Sequence, residues 1–202
     1  MAGYIGNFPT AIPLSGTDIA DGTITNSDLA NSSLTVNGTT ISLGGSETIT
    51  AGKIGQVISA TDSTAVGQGT SGGTFYGVGA GVNITPTSTS SKILVNVNLS
   101  LGFNTDGNTM TRIVRTIGAS STVLLLSSGA SLLNGTFGGF FHSDANRLTT
   151  INFSYLDSPS TTSQCTYTTQ VATNSATTIY INRTVNNNCR GGSSMICMEV
   201  LA

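Results

Sequence analysis

Two different rhythms of apolar residues divide this chain. In the first fifty residues the apolar side chains stand alone among Gly, Thr, Ser, Asn and Asp, at regular steps: Ile19, Ile24, Leu29 and Leu34. A step of five builds neither a helix stripe, which needs spacings of three and four, nor the alternation of a half-buried strand. One copy of such a segment cannot bury these residues. Several copies side by side can, each turning the residue toward a shared axis. The pattern predicts an oligomeric, fibrous stalk whose core is Ile19, Ile24, Leu29 and Leu34.

From about residue 75 the rhythm changes to a period of two. In the run 92–103, Ile93, Val95, Val97, Leu99, Leu101 and Phe103 share one face, and Lys92, Asn96, Asn98 and Ser100 share the other. That alternation predicts a half-buried strand. Further strands are expected over 75–84, 112–117, 122–127, 136–142, 148–155, 165–171, 178–185 and 195–201. Turn-forming clusters at 106–108, 134–135, 157–159, 186–188 and 191–192 separate them. Short strands at this spacing predict an all-β sandwich or jelly roll.

The segments before it read differently. Residues 1–16 contain Gly3, Gly6, Pro9, Pro13 and Gly16, which predict an extended arm without regular structure of its own. Its apolar residues, Tyr4, Ile5, Phe8, Ile12 and Leu14, are costly to leave in water. They predict a docking peptide that orders on a partner, the other reading being a strand packed on its own stalk. Residues 25–30 can hold one helical turn, capped by Thr25 or Asn26 with Asp28 near its positive end. Residues 35–51 read as a hairpin, with Asn37-Gly38 as a type I′ turn and Gly44-Gly45 as a second turn. Residues 52–74 are a looser Gly, Ser and Thr mixture around a short strand at 54–60, and the domain boundary is expected there. The resulting division is 1–16 as arm, 17–74 as stalk and linker, and 75–202 as a β domain.

Composition narrows the function classes. Of 202 residues only 8% are charged and 38% are hydrophobic, with 25 Gly and no Trp. Low charge with that apolar content fits β structure better than disorder. The net charge is −2 and the five Arg are scattered between Arg112 and Arg190, so no nucleic-acid footprint is expected. The apolar run 123–126 is too short to cross a bilayer, so no membrane insertion is expected. The first residues lack a cationic region and a long apolar stretch, so they do not read as a secretory signal. Cys165, Cys189 and Cys197 are odd in number, which favours reduced, packed thiols, with a Cys165–Cys189 bridge as the alternative.

Candidate chemistry is sparse. His142 is the only histidine, and its neighbours Ser143 and Asp144 would point to alternating faces of a strand, so no triad assembles locally. The β domain offers Asp106, Asp144, Asp157 and Glu199 as carboxylates for glycan cleavage, and the first three fall in or beside turns. Asn104, Asp106 and Asn108 alternate as in a calcium loop, but Gly107 precedes the third of them, which favours a plain turn. Gly77, Gly79 and Gly81 lack the spacing of a dinucleotide loop and read as a site of close strand approach. No metal-ligand spacing and no cofactor motif is present, and no enzymatic activity is expected. Phe137, Phe140, Phe141, Tyr155, Tyr167 and Tyr180 are candidate glycan platforms, with core or subunit interface as the plainer role.

The run Ala2-Gly3-Tyr4-Ile5-Gly6-Asn7-Phe8-Pro9, followed by Asp18-Ile19-Ala20-Asp21-Gly22-Thr23-Ile24, resembles the virion-attachment ends of tailed-bacteriophage fibre proteins, especially of marine and cyanobacterial phages. Residues 34–45 also resemble fibre shaft sequence. The stretch 84–95, with the ending Met198-Glu199-Val200-Leu201, resembles small phage knob domains built as trimeric jelly rolls, similar in outline to the tumour-necrosis-factor type. The resemblance implies a homotrimer: a virion-docking arm, an intertwined trimeric stalk and a jelly-roll knob. Its implied partners are other copies of the chain, other virion proteins of tail or capsid, and a host surface glycan. The implied function is a short tail fibre or similar appendage in the virion, assembled in the cytoplasm of the bacterial host. A head fibre or capsid decoration protein and a free lectin-like adhesion module are the alternatives.

Overall fold

The computed structural model describes residues 20–36, 39–46, 53–104, 107–124 and 146–201, together with the backbone of 137–142. The chain divides into two compact units, Met1–Ala51 and Gly52–Ala202.

In the first unit a 3-10 turn spans Asn26–Asp28. Thr25 is its cap: its amide (2.8 Å) and hydroxyl (2.7 Å) both donate to Asp28 Oδ2. These two hydrogen bonds hold the exposed Asp28 carboxyl below its ordinary pKa. Strands β1 (Ser33–Val36) and β2 (Thr39–Ser42) pair antiparallel, with Leu34 opposite Ile41 and Val36 opposite Thr39. This is the expected hairpin. Asn37 and Gly38 lie outside the described residues. The Gly45 amide then donates to Ser42 O at 2.9 Å, closing the second expected turn.

The second unit contains β3 (Ile54–Asp62), β4 (Val66–Thr70), β5 (Tyr76–Ile84), β6 (Lys92–Phe103), β7 (Gly107–Ile117) and β8 (Ser120–Val123). It continues with β9 (Phe137–His142), β10 (Leu148–Asp157), β11 (Cys165–Thr173), β12 (Thr177–Ile181) and β13 (Ser193–Val200). All pairings are antiparallel. β6 pairs along its whole length with β10, and on its other edge first with β13 and then with β12. β13 carries β3 and β12 carries β4. In the second sheet the order is β5, β11, β7, and β7 carries both β8 and β9 on its far edge.

β3 and β4, β8 and β9, and β12 and β13 are therefore halves of interrupted strands. Merging each pair reduces the eleven described strands of this unit to eight. In chain order these lie 1-8-3-6 in one sheet and 2-7-4-5 in the other. That order is a jelly roll, two Greek keys folded into facing sheets.

The core fills the space between the sheets. Ile93, Val95, Val97, Leu99, Leu101 and Phe103 of β6 are all buried, as their alternation predicts. They meet Val78, Val82 and Ile84 of β5, Ile113 of β7, and Tyr167 and Val171 of β11 in one cluster. Each such side chain contributes roughly 1.5–3 kcal/mol on leaving water. Three expectations change. β3 and β4, expected as stalk and linker, are the edge of the larger sheet, so the β domain begins near 53 and not at 75. Their small residues mimic a linker in composition, yet the space left at Gly67 takes the side chains of Tyr180 and Arg183, 3.4 Å from where a Cβ would stand. β7 begins at Gly107 and not at 112. β12 stops at Ile181, short of 185, because Asn182 turns into the left-handed region (φ 59°).

The excursion 182–192 between β12 and β13 folds back over β6. Ser100, expected on the solvent face, is buried beneath it. The Asn182 amide donates to Ser100 O (2.8 Å), and Ser100 Oγ donates to Gly192 O (3.0 Å). Gly102 is required by the same approach, since a Cβ there would stand 2.4 Å from Arg183 O. Gly102→Ala is therefore expected to destabilise the fold by about 1–3 kcal/mol, read as a lower denaturation midpoint of the full chain. An unchanged midpoint would show that 182–192 does not sit on β6.

Candidate functional site

The residues expected to dock, Tyr4, Ile5, Phe8, Ile12 and Leu14, lie outside the described residues, as does Ile19. The other expected stalk positions are described. Ile24 (55% exposed), Leu29 (42%) and Leu34 (60%) all present their side chains to solvent in the single chain.

Among the described residues the expected chemical residues do not converge. Ser143, Asp144 and Asp106 lie outside the described residues, and of His142, Phe137, Phe140 and Phe141 only the backbone, in β9, is described. Tyr155 packs against the core, Tyr167 is wholly buried in it, and Tyr180 lies under the Arg183 guanidinium at 4.4 Å. Asn104 Oδ1 accepts from the Thr177 hydroxyl and the Thr178 amide, which ties it to β12. Gly79 sits at a left-handed bulge (φ 69°) where a Cβ would stand 2.9 Å from Leu99 Cδ2. Of the three glycines Gly79 lets β5 approach the core and Gly81 lies close to β11, whereas a Cβ at Gly77 would meet nothing within 4 Å. All three cysteines are free: Cys165 and Cys197 are buried, and Cys189 is exposed. Burial raises the Cys197 thiol to about 12.

Two carboxylates point into the sandwich from either side of Ile93, Asp157 on β10 and Glu199 on β13. Both are saturated. Arg115 Nη1 reaches both Asp157 oxygens at 2.8 Å, and the Tyr167 hydroxyl donates to Oδ2 at 2.6 Å. Burial, and then the carboxylate's own hydrogen bond and charge, raise the Tyr167 phenol far above its ordinary pKa, so it stays a donor. Glu199 Oε1 accepts from the Thr87 amide (2.6 Å) and hydroxyl (2.7 Å), and Oε2 from Gln56 Nε2 (2.8 Å). Burial pushes the Glu199 carboxyl up, but these donors outweigh it and hold the group at about 2. The first network joins the two sheets, and the second ties the 85–91 loop to β3 and β13. Sequence reading missed both, because every partner is distant in the chain.

An open depression of about 480 Å³ lies on the outer face of the larger sheet. Strand alternation builds it. Asn96 and Asn98 of β6 point outward between Ser154 and Asn152 of β10 and Ile196 and Ser194 of β13. Two in-register rows result: Ser154–Asn96–Ile196 and Asn152–Asn98–Ser194. Neighbouring strands are about 4.8 Å apart and alternate residues roughly 6.6 Å apart. No charged side chain lines the depression. Among the described residues, none hydrogen-bonds the side-chain amides of Asn96, Asn98 and Asn152. The next row on this face is apolar: Leu156, Leu94, Met198 and Val57.

No protein-family model and no curated protein matches the chain. Among solved structures it is similar to an infectious bursal disease virus structure (Gt strain) at 15% identity and TM-score 0.37, covering 73% of this chain and 38% of that one. It is also similar to the VP2 subviral particle of that virus at 12% identity and TM-score 0.35, with coverages of 73% and 38%. A third similar structure is a T=1 particle derived from the same virus, at 12% identity and TM-score 0.35, covering 73% and 36%. The chain spans less than two fifths of the length of these proteins.

The Glu199 cluster generates a pH prediction. Its folded pKa, about 2, lies below the ordinary 4.5. The stability it supplies is therefore complete above about pH 4.5 and is lost as pH falls toward 2. Glu199→Gln is expected to cost roughly 2 kcal/mol at pH 7 and to flatten the loss of stability across that acid window. Parallel denaturation curves for the two proteins from pH 5 to 2 would refute the assignment.

Proposed function

We propose that this protein is a non-enzymatic structural component of a virion: a homotrimeric, short tail fibre or fibre-like appendage. Its first residues dock to other virion proteins, its first unit trimerises as a stalk, and its second unit is a displayed jelly-roll knob. The observation that carries the reading is the exposure of Ile24, Leu29 and Leu34 at a five-residue step. Scattered exposed apolar residues are ordinary on a protein surface. A regular series along a segment with no second layer among the described residues is not, and identical neighbours around an axis would cover it at each step. Residues 2–16 support the docking role by their isolated apolar side chains between Pro and Gly.

The non-enzymatic part is supported by two of the four candidate carboxylates, Asp106 and Asp144 lying outside the described residues. Asp157 and Glu199 are buried and spend their lone pairs on fixed donors, so neither is offered to a substrate. A jelly roll by itself serves capsids, lectins and other proteins alike, so the fold does not choose among them.

The mass of the intact assembly in solution tests the reading. A trimer of the 20.5 kDa chain is expected, and a stable monomer would overturn it. Replacing Ile24 and Leu29 together with Ser is expected to lower the dissociation temperature of the trimer, and an unchanged temperature would count against axial burial. Deleting residues 2–16 is expected to abolish loading onto virus particles while the trimer mass is kept. Loading by the truncated protein would remove the docking role.

A further inference from the structure

We propose that the depression on the outer face of the larger sheet is a binding site for a neutral glycan, held by Asn96, Asn98 and Asn152 with Ser154, Ser194 and Ile196. The inference deepens the reading of the second unit as a display knob and rests on it for its biological setting.

The chemistry of the lining selects the ligand class. A side-chain amide carries a carbonyl acceptor and an NH2 donor side by side. A sugar hydroxyl also accepts and donates, so one amide can bridge two adjacent hydroxyls with both partners satisfied. Three such amides stand in two adjacent strands, fixed by the ladder between β6 and β10. The serine hydroxyls of β10 and β13 add further donors and acceptors at the same spacing. Ile196, 36% exposed, places an apolar surface beside them for the C–H face of a ring.

Absence of charge in the lining excludes other classes. With no Lys, Arg, Asp or Glu among the lining residues, nothing there compensates the desolvation of a phosphate, a sulfate or an acidic sugar. The volume falls within the range of small-ligand sites, but the depression is open, so one site holds its ligand weakly. Presented in several copies, such sites gain on the order of 100-fold or more in avidity.

The test uses the full chain on an array of neutral glycans bearing glucose, galactose, mannose, rhamnose and N-acetylglucosamine, with sialylated, uronic-acid and sulfated glycans on the same surface. Binding to at least one neutral glycan is expected. It should fall at least tenfold in both Asn98→Ala and Asn152→Ala, which lie on the outer face and should keep the thermal midpoint of the parent. Asn83→Ala, on the other sheet, should bind as the parent does. Silence across the neutral glycans, binding confined to the charged ones, or binding indifferent to both substitutions would each overturn the site. The mass measurement separates the two readings. A trimer that binds no neutral glycan refutes this site and leaves the fibre reading standing. A monomer that binds refutes the fibre reading and leaves the site.

Discussion

Strict alternation along β6 is the constraint on which the second unit depends. This strand lies inside its sheet for its whole length, with β10 on one edge and β13 followed by β12 on the other. Its six inward side chains are the centre of the core, and its outward Asn96 and Asn98 floor the depression. A slip of one residue in register would exchange the two sets. It would put amides into the core at the cost of unpaired burial and leave Ile93, Val95 and Val97 in water. The same periodicity thus sets both the stability of the unit and the polarity of its outer face.

Polar groups inside the sandwich do a different job. Asp157 and Glu199 flank Ile93 where a hydrophobic residue would bury more cheaply: a buried ion pair such as Arg115–Asp157 seldom outperforms apolar packing, and Glu199 is a buried charge held by neutral donors. What they add is specific connection. Arg115 and Tyr167 belong to one sheet and Asp157 to the other, so that network fixes one sheet against its partner. Glu199 takes its donors from the 85–91 loop and from β3, fixing the entry to β6. Asn182 works at the break in the last strand. Its side chain donates to Asp62 O and Thr64 O, and it accepts from Ser193 Oγ at 2.7 Å. The interruption between β12 and β13 is thereby matched to the one between β3 and β4, and the two broken strands stay in register.

The strands of the β domain were readable wherever apolar and polar residues alternate, above all at β6, β10 and β11, and the clusters at 157–159, 186–188 and 191–192 mark strand ends, whereas the one at 106–108 runs into β7. β3 and β4 were not readable as part of the domain. Gly67 and Gly69 have the composition of a linker, and their role appears only when β12 supplies the ladder. Glu199 and Asp157 were visible as carboxylates, but their buried state depends on partners such as Thr87 and Arg115 that no local pattern reveals. The depression was half legible. Asn96 and Asn98 read as a polar face, but Asn152, Ser154 and Ser194 join them only through the pairing of three strands distant in sequence. Core or interface was the plainer reading of the aromatic residues, and Tyr155 and Tyr167 do occupy inward positions of β10 and β11.

Two exposed features among the described residues differ in what would satisfy them. Ile24, Leu29 and Leu34 are single exposed apolar residues separated by polar ones, which under the proposed reading a repeat of the same segment around an axis would cover at each level. The depression on the outer face of the larger sheet is lined mainly by amide and hydroxyl groups, which a small neutral ligand can match one group at a time. An open, uncharged site of that kind has little Coulomb attraction and little enclosure to draw on. Its occupancy then depends on how many copies face the same surface. Trimerisation through the first unit would raise that number without adding a contact in the second, so the stalk pattern and the depression, although built by unrelated residues, bear on the same quantity.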